Sequence, residues 1–415
     1  MSARVEITGK YARAYRQARR KVKSQILDQV VELTGWSRDN ARRRLTKRIT
    51  GPVARPGVKP KRVRTGKYGY GTLKVLQQVW AASGGMCGKY LAQAMAGLIV
   101  NMENHGHLVD GQDRYSPEVR TELLAMSPAT IDRYLRSTKA RDPLRGKSTT
   151  KPGSMLRNSI TIRRAGDEVE QEPGFFEADT VAHCGPTAKG EFTRSVNLTD
   201  VHVGWVFTTS VRNNARVHII AALNLAVEMI PYQVQGLDFD NGSEFINHDL
   251  VKWAGDRDVY FTRGRPYKKN DQATIESKNG HLVRRYGFYW RYDTAAELAV
   301  LRELWPLVND RLNYFTPTKK PVGWSTNKTG RRKRLNDTPA TPFDRLLRAG
   351  VLSPVQQTKL TAYRDSLDLV DLAERISECQ RRLIKLAAGK TRRLEDSLRP
   401  KLPNPDTGIR IRGQK

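Results

Sequence analysis

Cysteine is almost missing from this chain. Three stand among 415 residues, at Cys87, Cys184 and Cys379. They lie too far apart to make a ligand pattern, which excludes a disulfide-stapled secreted domain and points to reduced thiols in a cytoplasmic protein. His105 and His107 have no cysteine pair at zinc-finger spacing, so no zinc module is expected. No apolar run approaches the ~18 residues of a membrane span. Met1-Ser2-Ala3-Arg4-Val5-Glu6 lacks the apolar core of a secretion signal, and no membrane contact is expected. Acid is also short: 42 Asp and Glu face 73 Lys and Arg, a formal charge of +31. So large an excess costs self-repulsion, and its clustering points to a polyanionic partner, nucleic acid.

What is present suggests several domains, since one domain usually takes about 100–200 residues. Residues 1–67 hold twenty basic and four acidic residues. Ile26, Leu27, Val30 and Val31 recur at helical spacing, Thr34-Gly35-Trp36 breaks the run, and Ser37 is placed to cap a second helix. In that second helix Ala41 and Leu45 face inward, while Arg38, Asn40, Arg42, Arg43 and Arg44 face out. This is a helix-turn-helix pattern whose Arg and Asn side chains suit base edges in a major groove. Residues 1–66 are therefore read as a DNA-binding domain ending in a Pro/Gly-rich basic linker. Residues 67–140 form a second helical block, with Ser116-Pro117 and Ser127-Pro128 as helix starts. Its last helix carries Arg133 and Arg136 beside Ile131 and Leu135, which fits a second helix-turn-helix or a plain bundle. Residues 141–170 read as a basic linker.

From 171 to 316 the period changes. Strands are predicted at Phe175–Val181, Glu191–Val201, Trp205–Val211, Gln233–Phe239 and Val259–Thr262. Helices are predicted at Val217–Met229, Phe245–Gly255 and Asp271–Tyr286. This order describes a mixed α/β sheet covered by helices. Residues 317–415 form a basic, turn-rich region with one heptad-like helix and a tail expected to be disordered. In that helix Leu369, Leu372, Ile376, Cys379, Leu383 and Leu386 make an a/d seam. Docking on the protein's own body and a subunit contact are its two uses.

Three acids carry the chemistry. Asp179 stands in Phe175-Phe176-Glu177-Ala178-Asp179-Thr180, and Asp240 in Leu237-Asp238-Phe239-Asp240-Asn241-Gly242. Glu276 ends Asn270-Asp271-Gln272-Ala273-Thr274-Ile275-Glu276, with 35 residues separating it from Asp240. Carboxylates are hard oxygen ligands suited to Mg²⁺ or Mn²⁺. Converging, they repel unless neutralised, and two ions about 3.5–4 Å apart both neutralise them and activate a phosphodiester. No Ser-His-Asp or Cys-His arrangement is suggested, so the nucleophile is water or a DNA 3′-hydroxyl. Asp238 alternates with Asp240, and spacing alone does not separate the two. His183-Cys184-Gly185-Pro186 reads as a turn.

The segment 171–295 resembles the integrase catalytic core of the retroviral-integrase superfamily, as found in the DDE transposases of bacterial insertion sequences. The resemblance rests on Asp179-Thr180, on Asp240-Asn241-Gly242-Ser243-Glu244-Phe245, and on Arg265-Pro266-Tyr267-Lys268-Lys269-Asn270-Asp271-Gln272-Ala273 leading to Glu276 at the family's usual interval. It departs from retroviral integrases in lacking a His-His-Cys-Cys zinc domain. It implies a ribonuclease-H-like fold, Asp179, Asp240 and Glu276 as ligands of two Mg²⁺ ions (Mn²⁺ being the substitute), and cleavage at transposon ends followed by strand transfer. The implied partners are double-stranded DNA, both terminal inverted repeats and target, and further copies of the chain, a dimer or more on paired ends. Lys268, Lys269, Arg263, Lys278 and Asn279 are placed to meet that DNA. The implied setting is a bacterial cytoplasm, on the nucleoid. A catalytically inactive DNA-binding regulator and a simple metal-dependent nuclease of the same fold are the alternatives.

Overall fold

The computed structural model describes residues 2–49, 67–141, 172–239, 248–263, 279–326 and 332–398. The linker at 51–66, nearly all of the one at 141–170, and the tail at 399–415 lie outside these residues. The chain divides into two compact units, Met1–Lys67 and Tyr68–Lys415.

The first unit is three helices, α1 (Ser2–Gln17), α2 (Arg20–Thr34) and α3 (Arg38–Ile49). Gly35, at φ 67°, ends α2 in the left-handed conformation and returns its N–H to the Val31 carbonyl. A side chain there would be strained, which is why glycine occupies the stop. Ser37 then caps α3, its Oγ accepting the Asn40 N–H at 3.4 Å. Ile26, Leu27, Val30, Ala41 and Leu45 close the core with Ala12 of α1. The helix α1 has no counterpart in the sequence reading, because its few apolar residues make a weak stripe.

The second unit opens with α4 (Tyr70–Ala82), α5 (Gly88–Asn104), α6 (Pro117–Leu124), α7 (Pro128–Tyr134) and α8 (Arg136–Arg141). Ser116 and Ser127 start α6 and α7 as their Ser-Pro sequences predict, accepting the N–H of Val119 and Thr130. These helices share one continuous core with the sheet and the C-terminal helices.

The sheet has five strands, β1 (Phe175–Ala182), β2 (Arg194–Asp200), β3 (Val206–Val211), β4 (Gly236–Phe239) and β5 (Tyr260–Arg263), in the order β3-β2-β1-β4-β5. The first three form an antiparallel meander, and β4 and β5 run parallel to β1. The parallel strands follow α9 (Arg216–Met229) and α10 (His248–Gly255), as crossovers require. One sheet face carries Phe176, Ala178, Val196, Leu198, Leu237 and Phe239, all buried. The other carries Glu177, Asp179, Ser195, Asn197, Thr199, Thr208, Ser210 and Asp238, and all but Asp179 are buried too. Such a face is tolerable only when its polar atoms are hydrogen-bonded.

After the sheet, Asn279–Arg284 is a π-helical turn running into Arg285–Gly287. The sequence predicts an α-helix through this stretch, and the wider turn departs from it. Next come α11 (Ala295–Asp310), a second π-helical turn (Arg311–Phe315), the hairpin β6 (Pro321–Thr326) and β7 (Arg332–Asn336), then α12 (Pro342–Ala349), α13 (Pro354–Ser366) and α14 (Leu369–Leu398). The region after 317 therefore holds more order than its basic, turn-rich composition suggests. The seam of α14 docks on α11, burying Leu369, Leu372, Ile376, Cys379 and Leu383. The sixth predicted seam residue, Leu386, is 41% exposed, and Ala387 is buried instead. The 3-4 spacing slips there because a straight α-helix drifts against a heptad. Among the described residues no helix is long and apolar enough to cross a membrane.

Candidate active site

Asp179 sits on β1 where the strand alternation turns its side chain to the polar face, half-buried. Its Cα partner on β2 is Asn197, whose partner on β3 is Thr208. One row of the sheet therefore reads Asp179, Asn197, Thr208. The π-helical turn brings Asn279 over this row, and its Nδ2 donates to Asp179 Oδ2 at 2.5 Å. The Thr180 N–H donates to the other oxygen, Oδ1, at 2.6 Å. Asn197 Nδ2 donates to Asn279 Oδ1 at 3.1 Å, and Thr208 Oγ1 donates to Asn197 Oδ1 at 3.1 Å. Both carboxylate oxygens are thus oriented. A half-exposed, pre-oriented carboxylate fits a hard divalent cation.

On the neighbouring strand, β4 pairs with β1 in parallel, with Glu177 opposite Asp238 and Ala178 opposite Phe239. Asp179 and Asp240 are the residues that directly follow this last pair in the chain. Asp238 is 1% exposed, on the same face as Glu177. Asp240, Glu276, Lys268, Lys269 and Lys278 lie outside the described residues.

Beyond Asp179, β1 ends at a second polar cluster. His183 is fully buried, and its Nε2 is 2.8 Å from Ser195 Oγ. Ser195 Oγ in turn meets Ser210 Oγ at 2.9 Å, which accepts from Trp305 Nε1 at 2.7 Å. Burial first, and the nearby Arg284 guanidinium second, hold the His183 imidazole well below its ordinary pKa. Arg284 donates to the Ala182 carbonyl at 3.0 Å and lies over the Tyr289 ring, and burial lowers its own pKa. Gly185, at φ 62°, makes the turn expected of His183-Cys184-Gly185-Pro186 and packs against Arg291.

The predicted DNA-facing residues fall in two places. In the first unit, Arg42 and Arg43 are exposed on α3, with Arg42 donating to Asp39 at 3.0 Å. Asn40 is half-exposed. The Arg44 guanidinium lies 5.0 Å over the Trp36 ring. Arg38 is turned back on α2, where it meets Ser24 and Asp28. In the second unit, Arg133 and Arg136 are exposed, and Arg133 donates to Thr130 Oγ1 at 3.1 Å. Sequence reading missed Asn197 and Thr208. The alternation Val196-Asn197-Leu198-Thr199 marks Asn197 as the polar side of an amphipathic strand, and only the structure shows that side buried.

The sequence profile of the family described as Integrase core domain matches residues 170–269 of this chain. The chain is similar to the uncharacterized protein y4rM of Sinorhizobium fredii (strain NBRC 101917 / NGR234), 37% identical over 322 residues, which span 77% of this chain and 88% of that protein. Among solved structures it is similar to the catalytic core domain of BIV integrase, at 17% identity and a TM-score of 0.29, covering 46% of this chain and 98% of that one. It is also similar to a chain of the simian T-cell lymphotropic virus intasome in complex with PP2A regulatory subunit B56 gamma. That match has 14% identity and a TM-score of 0.25, covering 40% of this chain and 50% of that one.

Proposed function

We infer, from a chain that belongs to the integrase and transposase group of the ribonuclease-H-like superfamily, that this protein is a DNA transposase which binds transposon ends, cleaves them and joins them to target DNA. The observation that carries the reading is the parallel pairing of β1 and β4, with Ala178 opposite Phe239. β4 stops at Phe239 while β1 runs on to Ala182, so Asp179 is the β1 residue next after this pair and Asp240 is the next residue of the chain after β4. Glu276, three residues before Asn279, is the third carboxylate. Asp179, Asp240 and Glu276 would hold Mg²⁺, two ions in the full site, with Mn²⁺ as a substitute. Such ions neutralise the carboxylates, activate the attacking oxygen and stabilise the leaving one.

The chain's own residues prepare this chemistry. Thr180 N–H and Asn279 Nδ2 hold the Asp179 oxygens in one orientation before any cation arrives. Lys268, Lys269 and Asn279 would supply contacts to DNA phosphates. The half-exposure of Asp179 against the 1% exposure of Asp238 supports Asp240, not Asp238, as the second ligand. In the first unit, α2, the Gly35 turn and α3 act as a helix-turn-helix. Asn40, Arg42 and Arg43 reach the groove, while Arg38 braces α3 on α2 and Arg44 is held by Trp36. The basic linkers and the exposed Arg133 and Arg136 add phosphate contacts, giving the +31 charge its partner. Paired-end processing requires at least a dimer on DNA, in the bacterial cytoplasm.

The test is joining of duplex ends, taken from the DNA that flanks the gene, to a plasmid target in Mg²⁺. Asp179→Asn, Asp240→Asn and Glu276→Gln each abolish joining. Cleavage without joining indicates a nuclease, and end binding without either reaction indicates a regulator.

A further inference from the structure

Thr208, Asn197, Asn279 and Asp179 form a file of hydrogen bonds whose direction is set at one end. An ionised carboxylate only accepts, so Asn279 must present Nδ2 to Asp179. That leaves Asn279 Oδ1 to accept from Asn197 Nδ2, at 3.1 Å. Asn197 Oδ1 then requires a donor in turn, and Thr208 Oγ1 supplies it at 3.1 Å. Asn197 is 0% and Thr208 1% exposed, so solvent cannot replace a lost donor. The main chain of Thr208 is itself fixed, because Asn309 bonds both its N–H and its C=O at 3.1 Å. Without the hydroxyl, Asn197 Oδ1 is buried and unsatisfied. Turning both amides over gives no relief, because it sets the Asn197 Nδ2 donor against the same gap and points the Asn279 oxygen at the Asp179 carboxylate.

We propose that Asn197 and Thr208 are positioning residues for the Asp179 carboxylate, acting through Asn279, so that divalent-cation affinity at Asp179 depends on a threonine hydroxyl two strands away. The proposal rests on the reading of Asp179 as a metal ligand. Outer-shell partners of this kind commonly change metal affinity by about 10–100-fold.

The experiment uses the full chain. Mn²⁺ binding is followed by the paramagnetic resonance of free Mn²⁺, the Mg²⁺ dependence of end joining is measured alongside, and urea unfolding checks the fold. Thr208→Val, which removes the donor at nearly constant shape, is expected to weaken Mn²⁺ binding about tenfold and to raise the half-saturating Mg²⁺ concentration by a similar factor. Thr208→Ser, which keeps the donor, restores both. Wild-type Mn²⁺ binding in Thr208→Val overturns the proposal. So does Thr208→Ser being as weak as Thr208→Val, since packing would then be the cause. If Thr208→Val does not unfold cooperatively, Asn197→Asp replaces it: weakened Mn²⁺ binding supports the file and unchanged binding overturns it. Asp179→Asn separates the two levels. If it leaves Mn²⁺ binding and joining intact, the metal-ligand reading falls and the proposal with it. If it abolishes both while Thr208→Val behaves as wild type, the file alone falls.

Discussion

Asn313 pairs with Val206 as a strand would: its Nδ2 donates to the Val206 carbonyl and its Oδ1 accepts the Val206 N–H, both at 2.8 Å. Asn309, one turn earlier, does the same for Thr208, and Arg302 Nε donates to the Ser210 carbonyl at 3.1 Å. β3 is an edge strand, and these side chains satisfy its outward main-chain groups, which would otherwise invite pairing with another chain. Asn313 is 3% exposed, so its removal leaves a buried N–H and C=O unsatisfied, at about 1–3 kcal/mol each. Asn313→Ala is expected to lower stability by about 2–4 kcal/mol in urea unfolding. The more exposed Asn309→Ala should lose less. An unchanged midpoint for Asn313→Ala would show that the edge does not need the cap.

His183 makes stability depend on acid. Its folded pKa lies well below the ordinary 6.5, through burial and then the Arg284 charge, so the unfolded chain takes up a proton before the folded one does. The stabilisation is complete above about 6.5 and is lost as pH falls below it, at about 1.4 kcal/mol per pH unit. Replacing the imidazole by a non-titrating group, His183→Gln, should flatten this limb of the stability curve. Parallel curves for wild type and variant between pH 6.5 and 5 would contradict the assignment.

Asp310 acts in the opposite sense. Burial raises its carboxyl from 3.8 to about 6, although the Tyr363 hydroxyl donates to it at 3.0 Å. The folded state therefore holds a proton that the unfolded chain releases, and stability falls as pH rises from about 4 to about 6. Asp310→Asn keeps an acceptor for Tyr363 and never ionises. It should stabilise the protein at pH 7 by about 1–2 kcal/mol, after allowance for the part of the group that water screens, and remove the slope between pH 4 and 6. A variant less stable than wild type at pH 7 would mean that the ionised carboxylate is needed.

The local parts of this fold were legible because local chemistry makes them. Phe175–Ala182, Arg194–Asp200 and Val206–Val211 are rich in the β-branched and aromatic residues that favour strands, and Ser116 and Ser127 announce their helices by capping. The parts that were not legible are held by distant partners. Asn309 and Asn313 look like ordinary helix-end asparagines until β3 lies beside them. Asn197 reads as the polar side of an amphipathic strand, yet it is 0% exposed and works inside the site. The π-helical turn at Asn279 breaks a pattern that spacing extends as an α-helix. β4 begins at Gly236, three residues later than predicted, and a Cβ at that position would meet the Phe175 ring at 2.6 Å, so a glycine is what lets the strands close there.

Asp238 and Asp240 differ by two residues and would share a face in an ideal strand, so a mutational pair is needed to divide their roles. Asp238 is 1% exposed within the sheet, opposite Glu177 on β1 and Thr262 on β5. A carboxylate sealed there contributes to the fold, and its replacement acts through stability. Asp240→Asn is therefore expected to abolish strand joining and weaken Mn²⁺ binding while leaving the unfolding midpoint near that of wild type. Asp238→Asn is expected to shift the midpoint while its folded fraction, measured below that midpoint, still joins ends. Joining by Asp240→Asn, together with an inactive but fully stable Asp238→Asn, would move the second metal ligand two residues back, from the end of β4 into its interior.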